Sequence, residues 1–423
     1  MKPERFCWTW LVCIAVMVAF SLVMFLETGC GSSARSNTVS PTGTGGTGGT
    51  ASTGGSGSGT TGGTSGGGSS GGSGTGSGSA GSNSMPHEFL YVAAGQDVWG
   101  WTINSDSSLT PVSKSPFAVG GSSVVADPKA NYLFSVGGNT ASTLALNTDT
   151  IAADGSLTIS STFADSTLMS GLSINPAGSA LYADSISAAQ QNPGWKIFAV
   201  QSDGSLTFTS GTINQVSGRL IFTADGSNAY QAYCYHLGAN IFDYSVASNG
   251  TLTALPGQVT QIESSTECPN AVAVTPDGKM LAAPWVNADM AGAPDNRIML
   301  YSIDPATHAL SALATIPLLA SGFGNDAVFD TSGKFLVMAQ SNGIGVYQIS
   351  NNSATEVPGS PFASGTNFSR VLFSPSGGSL AAISNADNQL YVFAFNNSNG
   401  TLTVGPGSPQ SVTAPLDLTV TKR

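Results

Sequence analysis

Short apolar runs separated by tight polar turns recur through residues 88–423. One such turn, "TPDGKMLAAP" from Thr275, is repeated as "NPAGSALYAD" from Asn175, "TADGSNAYQA" from Thr223 and "DTSGKFLVMA" from Asp330. The runs are short and alternate in polarity, as β-strands do, and no stretch has the period of a convincing amphipathic helix. Glycine at the end of each turn supplies the positive φ that a tight reversal needs. The pattern therefore predicts antiparallel β-hairpins.

A second phrase recurs between the turns, a strand that runs into Asn, Asp or Gly and is followed by a leucine between polar residues. Its copies repeat with a period of about 50 residues, which is typical of a propeller or a solenoid. The marker leucines are Leu109, Leu157, Leu206, Leu252, Leu310 and Leu402. The gap before the last leucine is two periods long, and "GIGVYQISNNSATEV" fills the missing copy.

Seven such units, each of four strands, predict the fold class: an all-β, seven-bladed propeller over residues 86–423. A four-stranded blade cannot bury both of its faces alone, whereas blades packed around an axis bury every face. The repeat begins with "HEFLYVAAG", which has the pattern of a second strand without a first. It ends with "PLDLTVTKR", a first strand without a second. We therefore expect the two ends to pair and to complete the seventh blade.

Residues 1–30 have the layout of a signal segment, with Lys2 and Arg5 preceding an almost uninterrupted apolar run over 6–26. The following "LETGCGSS" resembles the lipobox of bacterial lipoproteins, which implies cleavage before Cys30 and its acylation. Glu27 departs from that pattern, because an aliphatic residue is expected there. An uncleaved transmembrane anchor and soluble secretion are the alternatives, since the run is long enough to cross a bilayer.

Residues 31–85 are Gly, Ser and Thr with almost no apolar side chain, so they are predicted to form a disordered tether. We expect a cell-envelope lipoprotein whose tether spans about 40 Å and holds the propeller off the membrane. The net charge of −11 and the lack of a basic cluster exclude nucleic acid as a partner. No cofactor or metal is predicted, because the acidic stretch with Asp289 and Asp295 lacks the spacing of a calcium loop.

Two cysteines in the predicted propeller form a candidate disulfide. Cys234 ends the second strand of one blade, and Cys268 opens the first strand of the next. Both should lie at the same rim, where a bond between them would clamp adjacent blades. The alternative is two buried free thiols.

Three phrases, "EFLYVAAG", "LTPVSKSPFAVGGSSVVADPKANYLFSV" and "EVPGSPFASG", resemble the repeats of the bacterial lactonase family, the 6-phosphogluconolactonase-like or YVTN-type propellers. The resemblance covers about 80 per cent of the chain and implies the propeller fold. It also implies a lactonase site in which an Arg and His phrase opens inner strands at the channel mouth. A lactonase needs a base to activate water and a cation to hold the oxyanion.

The corresponding stretches here contain no histidine at that place. Arg219 and Arg370 stand at the histidine position, and Asn270 and Asp326 are interpreted as lying one position earlier. Arginine keeps its proton, so neither arginine can be the base. His236, in a loop between the second and third strands of a blade, should lie on the same rim.

Arg219, His236, Asn270, Asp326 and Arg370 together are the candidate ligand site. The alternative is that Arg and Asp at the ends of inner strands pair with each other and seal the channel. Glu263 and Glu267, in a neighbouring loop, could add a carboxylate. Trp99 and Trp101 fall on one face of a strand and are expected to pack between blades, whereas Trp195 and Trp285 are expected to be exposed beside long loops.

The missing histidines favour a non-catalytic binding or scaffolding module, with a glycan, small molecule or protein bound at the rim. The alternative is a lactonase-type hydrolase that acts on a sugar lactone.

Overall fold

The computed structural model describes residues 87–140, 143–165, 168–186, 194–210, 219–235, 238–255, 267–287, 297–317, 323–350 and 352–423. These residues belong to one compact unit, and their regular structure consists of β-strands. No helix among them is long and apolar enough to span a membrane. The predicted signal segment, Cys30 and the tether lie outside the described residues, so their predictions are untested.

Seven antiparallel sheets, the blades, form a ring; in six blades the strands lie in chain order, and in the seventh the last strand of the chain lies beside the first. We name the strands A to D from the channel outwards. The chain begins with strands B, C and D of blade 7, which are β1 (Glu88–Ala94), β2 (Asp97–Ile103) and β3 (Leu109–Pro111). Blade 1 contains β4 (Ser123–Ala126), β5 (Tyr132–Thr140), β6 (Thr143–Ile151) and β7 (Leu157–Asp165). Blade 2 contains β8 (Leu168–Ile174), β9 (Ala180–Ile186), β10 (Gly194–Val200) and β11 (Leu206–Ser210).

The next three blades follow the same plan. Blade 3 contains β12 (Ile221–Phe222), β13 (Asn228–Tyr235), β14 (Gly238–Val246) and β15 (Leu252–Ala254). Blade 4 contains β16 (Glu267–Pro269), β17 (Ala273–Val274), β18 (Met280–Asn287), β19 (Arg297–Ile303) and β20 (Leu310–Pro317), and both β16 and β17 pair with β18. Blade 5 contains β21 (Gly324–Phe329), β22 (Phe335–Gln340), β23 (Gly343–Ser350) and β24 (Ser353–Glu356).

Blade 6 contains β25 (Arg370–Phe373), β26 (Ser379–Ser384), β27 (Gln389–Phe395), β28 (Leu402–Val404) and β29 (Gln410–Ser411). The last strand, β30 (Pro415–Lys422), is the A strand of blade 7 and pairs antiparallel with β1. Beyond this pairing, the amides of His87 and Arg423 each donate to the other residue's carbonyl at 2.9 Å. The predicted seven-bladed propeller, closed by its two terminal strands, is therefore confirmed.

The core lies between the blades. Seven clusters of buried apolar side chains each draw on two neighbouring blades. In the cluster between blades 2 and 3, Trp195 packs edge-on against Tyr244 with ring centroids 5.4 Å apart. Because every blade supplies one face to each neighbour, no blade can bury its apolar surface without the ring.

One end of the channel carries the A–B and C–D turns, and we call it the turn face. The C–D turn of a blade packs against strand B of the preceding blade, as where the Tyr91 hydroxyl donates to the Gly155 carbonyl at 2.7 Å. The Tyr182 hydroxyl donates to the Gly250 carbonyl at the same distance. Gly155 has a φ of +81°, and a Cβ added there would lie 2.5 Å from the ring of Phe89. Glycine is thus required by both conformation and space.

The junction between blades 4 and 5 departs from this arrangement. β23 ends at Ser350 and β24 begins at Ser353, so the C–D turn of blade 5 is shorter than those of the other blades. At this junction a cleft of about 800 Å³ remains, and its lining includes Met280, Leu313 and Ile349. The short turn leaves unfilled the space that a longer turn occupies elsewhere.

Candidate functional site

The opposite end of the channel, which we call the rim, is built where the A strands begin. The pairing of A and B strands places one residue of each blade at an equivalent position near the start of its A strand. Since all A strands run in the same direction around the ring, these residues meet at one end of the channel. They are Ser123, Gly171, Arg219, Ala271, Asp326, Arg370 and Asp417.

This register corrects one detail of the sequence interpretation. Asp326 does not lie one position before the two arginines but at the same position as Arg219 and Arg370. Asn270 does lie one position earlier, as Asn325 does in blade 5. The distance from the turn gives the same alignment, since Asp326, Arg219 and Arg370 each stand four residues before the first residue of their A–B turn motif.

Arg219 and Asp326 form an ion pair across the rim. Arg219 Nη1 lies 3.4 Å from Asp326 Oδ2, although the two residues belong to blades 3 and 5. The same carboxylate oxygen accepts the backbone N–H of Val371 at 3.2 Å, which ties blade 5 to blade 6. The Asp326 side chain is only 5% exposed, whereas that of Arg219 is 33% exposed. Arg219 is therefore the more accessible member of the pair.

Arg370 and Asp417 form a second pair, between blades 6 and 7, with Arg370 Nε 3.6 Å from Asp417 Oδ1. Burial lowers the pKa of the Arg370 guanidinium, but the carboxylates of Asp417 and Asp326 outweigh it and raise that pKa above its ordinary value. Asp417 Oδ2 accepts the Ser123 hydroxyl at 2.6 Å and the Val124 N–H at 3.2 Å. Asp417 thus holds the arginine and closes the ring at blade 1.

The sequence analysis missed Asp417, although a signal was present. "PLDLTVTKR" was recognised as an A strand, and in that strand Asp417 stands where Asp326 stands in "GNDAVF". Aligning the terminal strand with the other A strands would have placed a second carboxylate at the rim.

A small cavity of about 60 Å³ brings four of the five predicted residues together. Its lining includes Arg219, Asn270, Asp326 and Arg370, together with Asn325. Asn270 donates to the Gly324 carbonyl at 3.0 Å and Asn325 to the Phe368 carbonyl at 2.7 Å, so both amides are held by the next blade. The fifth predicted residue, His236, lies outside the described residues.

Below the rim, a channel cavity of about 250 Å³ is lined by A strands. Arg219 belongs to the lining of both cavities, and Asp417 to that of the channel. Ser173, Asn175 and Thr419 add polar atoms deeper in the channel. A ligand at the rim could therefore extend into the channel past Arg219.

The ion pairs agree with the alternative in which inner strands are sealed by their own charged side chains. Hydroxyls join other inner strands in the same way, since the Leu172 N–H donates to Ser123 Oγ and the Leu220 N–H to Ser173 Oγ, both at 3.1 Å. The rim residues thus belong to a belt of polar links between blades, and they also line a cavity.

The expectation of exposure was wrong for both tryptophans that it concerned, those beside the long loops. Trp195 and Trp285 are each only 1% exposed, because their rings turn into the interblade clusters rather than towards the loops. Trp99 and Trp101 stack with centroids 6.0 Å apart beside the cluster between blades 6 and 7, which confirms their packing role. The exposure of a residue at the end of a strand depends on the face of the strand on which it lies, and the length of the adjoining loop does not indicate that face.

Several other predictions remain untested. The side chains of Cys234 and Cys268 lie outside the described ones, so the disulfide stays a prediction, although their strands, β13 and β16, are neighbours. Glu263, the side chain of Glu267, and Asp289 and Asp295 also lie outside. Within the described residues, no group of three or more His, Cys, Asp or Glu side chains could hold a metal ion.

The propeller is similar to several solved structures. A candidate 6-phosphogluconolactonase from Bacteroides uniformis has a TM-score of 0.61 and 17% identity, with 79% of this chain and 99% of that chain covered. The periplasmic gluconolactonase of Pseudomonas aeruginosa gives the same TM-score, identity and coverage. A protein from Lactobacillus plantarum gives a TM-score of 0.60 and 14% identity, with 79% and 99% covered. No protein-family model and no curated protein matches the chain. At these identities the similarity confirms the fold of the lactonase-type propellers.

Proposed function

We propose that the rim is the active site of a lactone hydrolase that opens a sugar lactone. The observation that carries this proposal is the gathering of Arg219, Asp326 and Arg370, from three blades, around one cavity at the channel mouth. Propellers of the same fold, one named as a candidate 6-phosphogluconolactonase and one as a gluconolactonase, support the reaction class. The site therefore supplies cations and carboxylate to an ester carbonyl.

Asp326 is the residue that we assign as general base. Among the described rim residues only Asp326 and Asp417 can accept a proton, because an arginine keeps its own. Asp417 is engaged through both oxygens, Oδ1 by the Leu418 N–H and Arg370, and Oδ2 by Ser123 and Val124. The contacts of Asp326 described above fall on Oδ2, which leaves Oδ1 for a water molecule.

The proposed reaction needs no further reactant than water. Asp326 Oδ1 takes a proton from the water as its oxygen attacks the lactone carbonyl carbon. Arg219 stabilises the negative charge that develops on the carbonyl oxygen. The bond between that carbon and the ring oxygen then breaks, the ring oxygen takes up the proton, and an open-chain hydroxy acid leaves.

A second candidate function is ligand binding at the same rim without turnover. It is favoured by the structural engagement of both carboxylates, which accept backbone N–H groups of the neighbouring blades. A carboxylate that holds two blades together can act as a fixed acceptor for a glycan or a protein ligand. In this case Arg219 and Asn270 would bind the ligand and no proton would be moved.

We also propose that the chain is exported and anchored in the cell envelope through a lipid on Cys30. The signal-like residues 1–30 and the tether over 31–85 support this location. The name of the Pseudomonas aeruginosa relative places that protein in the periplasm and supports export of this one. Labelling cells with a radioactive fatty acid, with Cys30→Ser as the control, tests the anchor.

Hydrolysis of a panel of sugar lactones by the full chain in detergent micelles tests the activity, measured as acid released above the spontaneous rate. Asp326→Asn retains the acceptor for Val371 but removes the base, so kcat/KM should fall by about 10²- to 10⁴-fold. Asp277→Asn, on the turn face, is the matched control and should change kcat/KM less than about twofold. Turnover that survives in Asp326→Asn would exclude this residue as the base. A folded protein with no turnover would exclude the lactonase and leave ligand binding without catalysis as the function of the rim.

A further inference from the structure

The cationic side chains of this protein are divided unequally between the two ends of its channel. Ten of the 13 Lys and Arg residues lie in residues 87–423, because Lys2, Arg5 and Arg35 precede them. Five of the ten stand in A–B turns or at the end of β30, and these are Lys129, Lys279, Lys334, Lys422 and Arg423. Lys114 belongs with them, since its charge helps to lower the pKa of Asp154, which lies in a C–D turn. The turn face therefore holds most of the cations.

Four cations remain on the side of the rim, and only two of them reach the channel. Lys196 and Arg297 stand at the start of C strands, two strands outward from the channel. Arg219 and Arg370 are the cations of the inner strands, and each is paired with a carboxylate, Asp326 or Asp417. At the described rim positions of the A strands, the two positive and two negative charges therefore balance.

The sequence segments that connect strands on this side add no cation to compensate. Segments 211–218, 256–266 and 288–296 contain neither Lys nor Arg. A doubly charged phosphate at the rim would therefore meet arginines that are already paired with carboxylates. Phosphate sites need unpaired cations or free N–H donors, because an anion that loses its water without compensation is strongly disfavoured.

We infer that the rim accepts an uncharged, unphosphorylated sugar lactone and discriminates against its phosphorylated form. This inference rests on the proposed function. The two cavities that share Arg219 have volumes of about 250 and 60 Å³. Together they reach only the lower limit of ligand-site volumes, about 300 Å³, which suits a single sugar ring.

The experiment compares kcat/KM of the full chain for glucono-1,5-lactone and for 6-phosphoglucono-1,5-lactone, each corrected for spontaneous hydrolysis. We expect the neutral lactone to be preferred by roughly tenfold or more, the effect of one unfavourable charged contact. Raising the salt concentration should increase kcat/KM for the phosphorylated lactone and leave the other unchanged, because salt screens the repulsion between the phosphate and a chain of net charge −11. Inorganic phosphate at millimolar concentration should not inhibit.

Asp417→Asn provides a test that loss of folding alone could not mimic. The amide keeps an acceptor for Ser123 and Val124 but removes the negative charge beside Arg370, so the rim becomes cationic. The preference for the neutral lactone should then fall by about tenfold. Asp277→Asn makes the same change of charge on the turn face and should leave the preference unchanged. If Asp417→Asn does not fold, the ratio of kcat/KM for the two lactones in the unmodified chain decides.

The outcomes separate the two proposals. Equal turnover of both lactones, or a preference for the phosphorylated one, would overturn this inference and leave the lactonase proposal standing. Turnover of neither lactone would overturn the lactonase proposal, and the inference with it. A preference that does not change in a folded Asp417→Asn protein would exclude charge balance at the rim as its cause.

Discussion

The two ends of the channel are built from the same repeat in different ways. On the turn face, equivalent positions of the C–D turns keep the same backbone conformation, a positive φ, in the glycines at 155, 204, 250 and 400 and also in Ser107 and His308. On the rim, the seven equivalent positions hold five different residue types, including two arginines and two aspartates. Repetition at one end joins the blades, and variation at the other end creates a site. We therefore expect substitutions on the turn face to change stability and those on the rim to change activity.

The sharpest test of the turn face compares the junction between blades 5 and 6, which a C–D turn fills, with the junction between blades 4 and 5, where the cleft lies. Phe335 of blade 5 supports Gly400 in the turn of blade 6, and Phe335→Ala should lower the unfolding free energy by about 3 to 5 kcal/mol. Met280 stands at the corresponding place beside the cleft, where a partly filled site loses fewer contacts. Met280→Ala should therefore have the smaller effect, about 2 kcal/mol or less. Urea unfolding measures both, and equal losses would contradict a filling role for the C–D turns.

A buried carboxylate inside blade 1 provides a contrast with the paired carboxylates of the rim. Burial raises the pKa of Asp149 to about 7, and the hydrogen bond from Ser135 only partly opposes this. The folded state then binds the proton more tightly than the unfolded state, so the stabilisation is complete below about pH 4 and is lost as the pH rises through 7. The loss should amount to a few kcal/mol, and at most about 4.

Unfolding in urea at several pH values, with Asp149→Asn as the comparison, measures this loss. The amide cannot ionise, so the difference in stability between low and neutral pH should shrink in the variant. An unchanged pH dependence would show that Asp149 is not its source. Lactone hydrolysis should respond to Asp326→Asn rather than to Asp149→Asn.

Glycine substitutions separate backbone strain from steric contact on the turn face. Gly155→Ala combines a φ of +81° with a clash against Phe89, and should cost about 2 kcal/mol or more. Gly278, in an A–B turn, has a φ of +68° and no neighbouring atom within 4 Å of an added Cβ. Gly278→Ala should therefore cost only about 1 kcal/mol, the strain alone. Thermal unfolding ranks the two, and the reverse order would contradict the close packing between blades.

The smallest expected effect concerns one hydrogen bond. Tyr182→Phe removes the hydroxyl that donates to the Gly250 carbonyl but keeps the ring, so the unfolding free energy should fall by about 1 kcal/mol. Tyr132→Phe, where the bond to Ser202 is longer at 3.2 Å and exposed, is the matched control and should lose less. A change in lactone kcat/KM in either variant would break the separation between the two faces.

Much of the rim could be predicted from the sequence, since four of the five predicted residues line one cavity. The prediction succeeded because the start of an A strand is recognisable by its distance from the turn. It failed for the exact place of Asp326, although Asp326 stands at the same distance from the turn as Arg219 does, and for Asp417, whose strand pairs with the first strand of the chain instead of leading into an A–B turn. The ladders with strand B show both alignments directly. The burial of Trp195 and Trp285 was missed because strand faces, not loop lengths, decide exposure.

The sequence by itself determined the number of blades, the turns between strands and the pairing of the two ends. These features follow from local chemistry, namely the alternation of apolar residues and the glycines that tight turns require. The tertiary structure alone decided which charges meet across the rim, as when Arg219 of blade 3 reaches Asp326 of blade 5. Such pairs join residues distant in the chain, and their partners are chosen by the distances that a closed ring imposes, which no local pattern records.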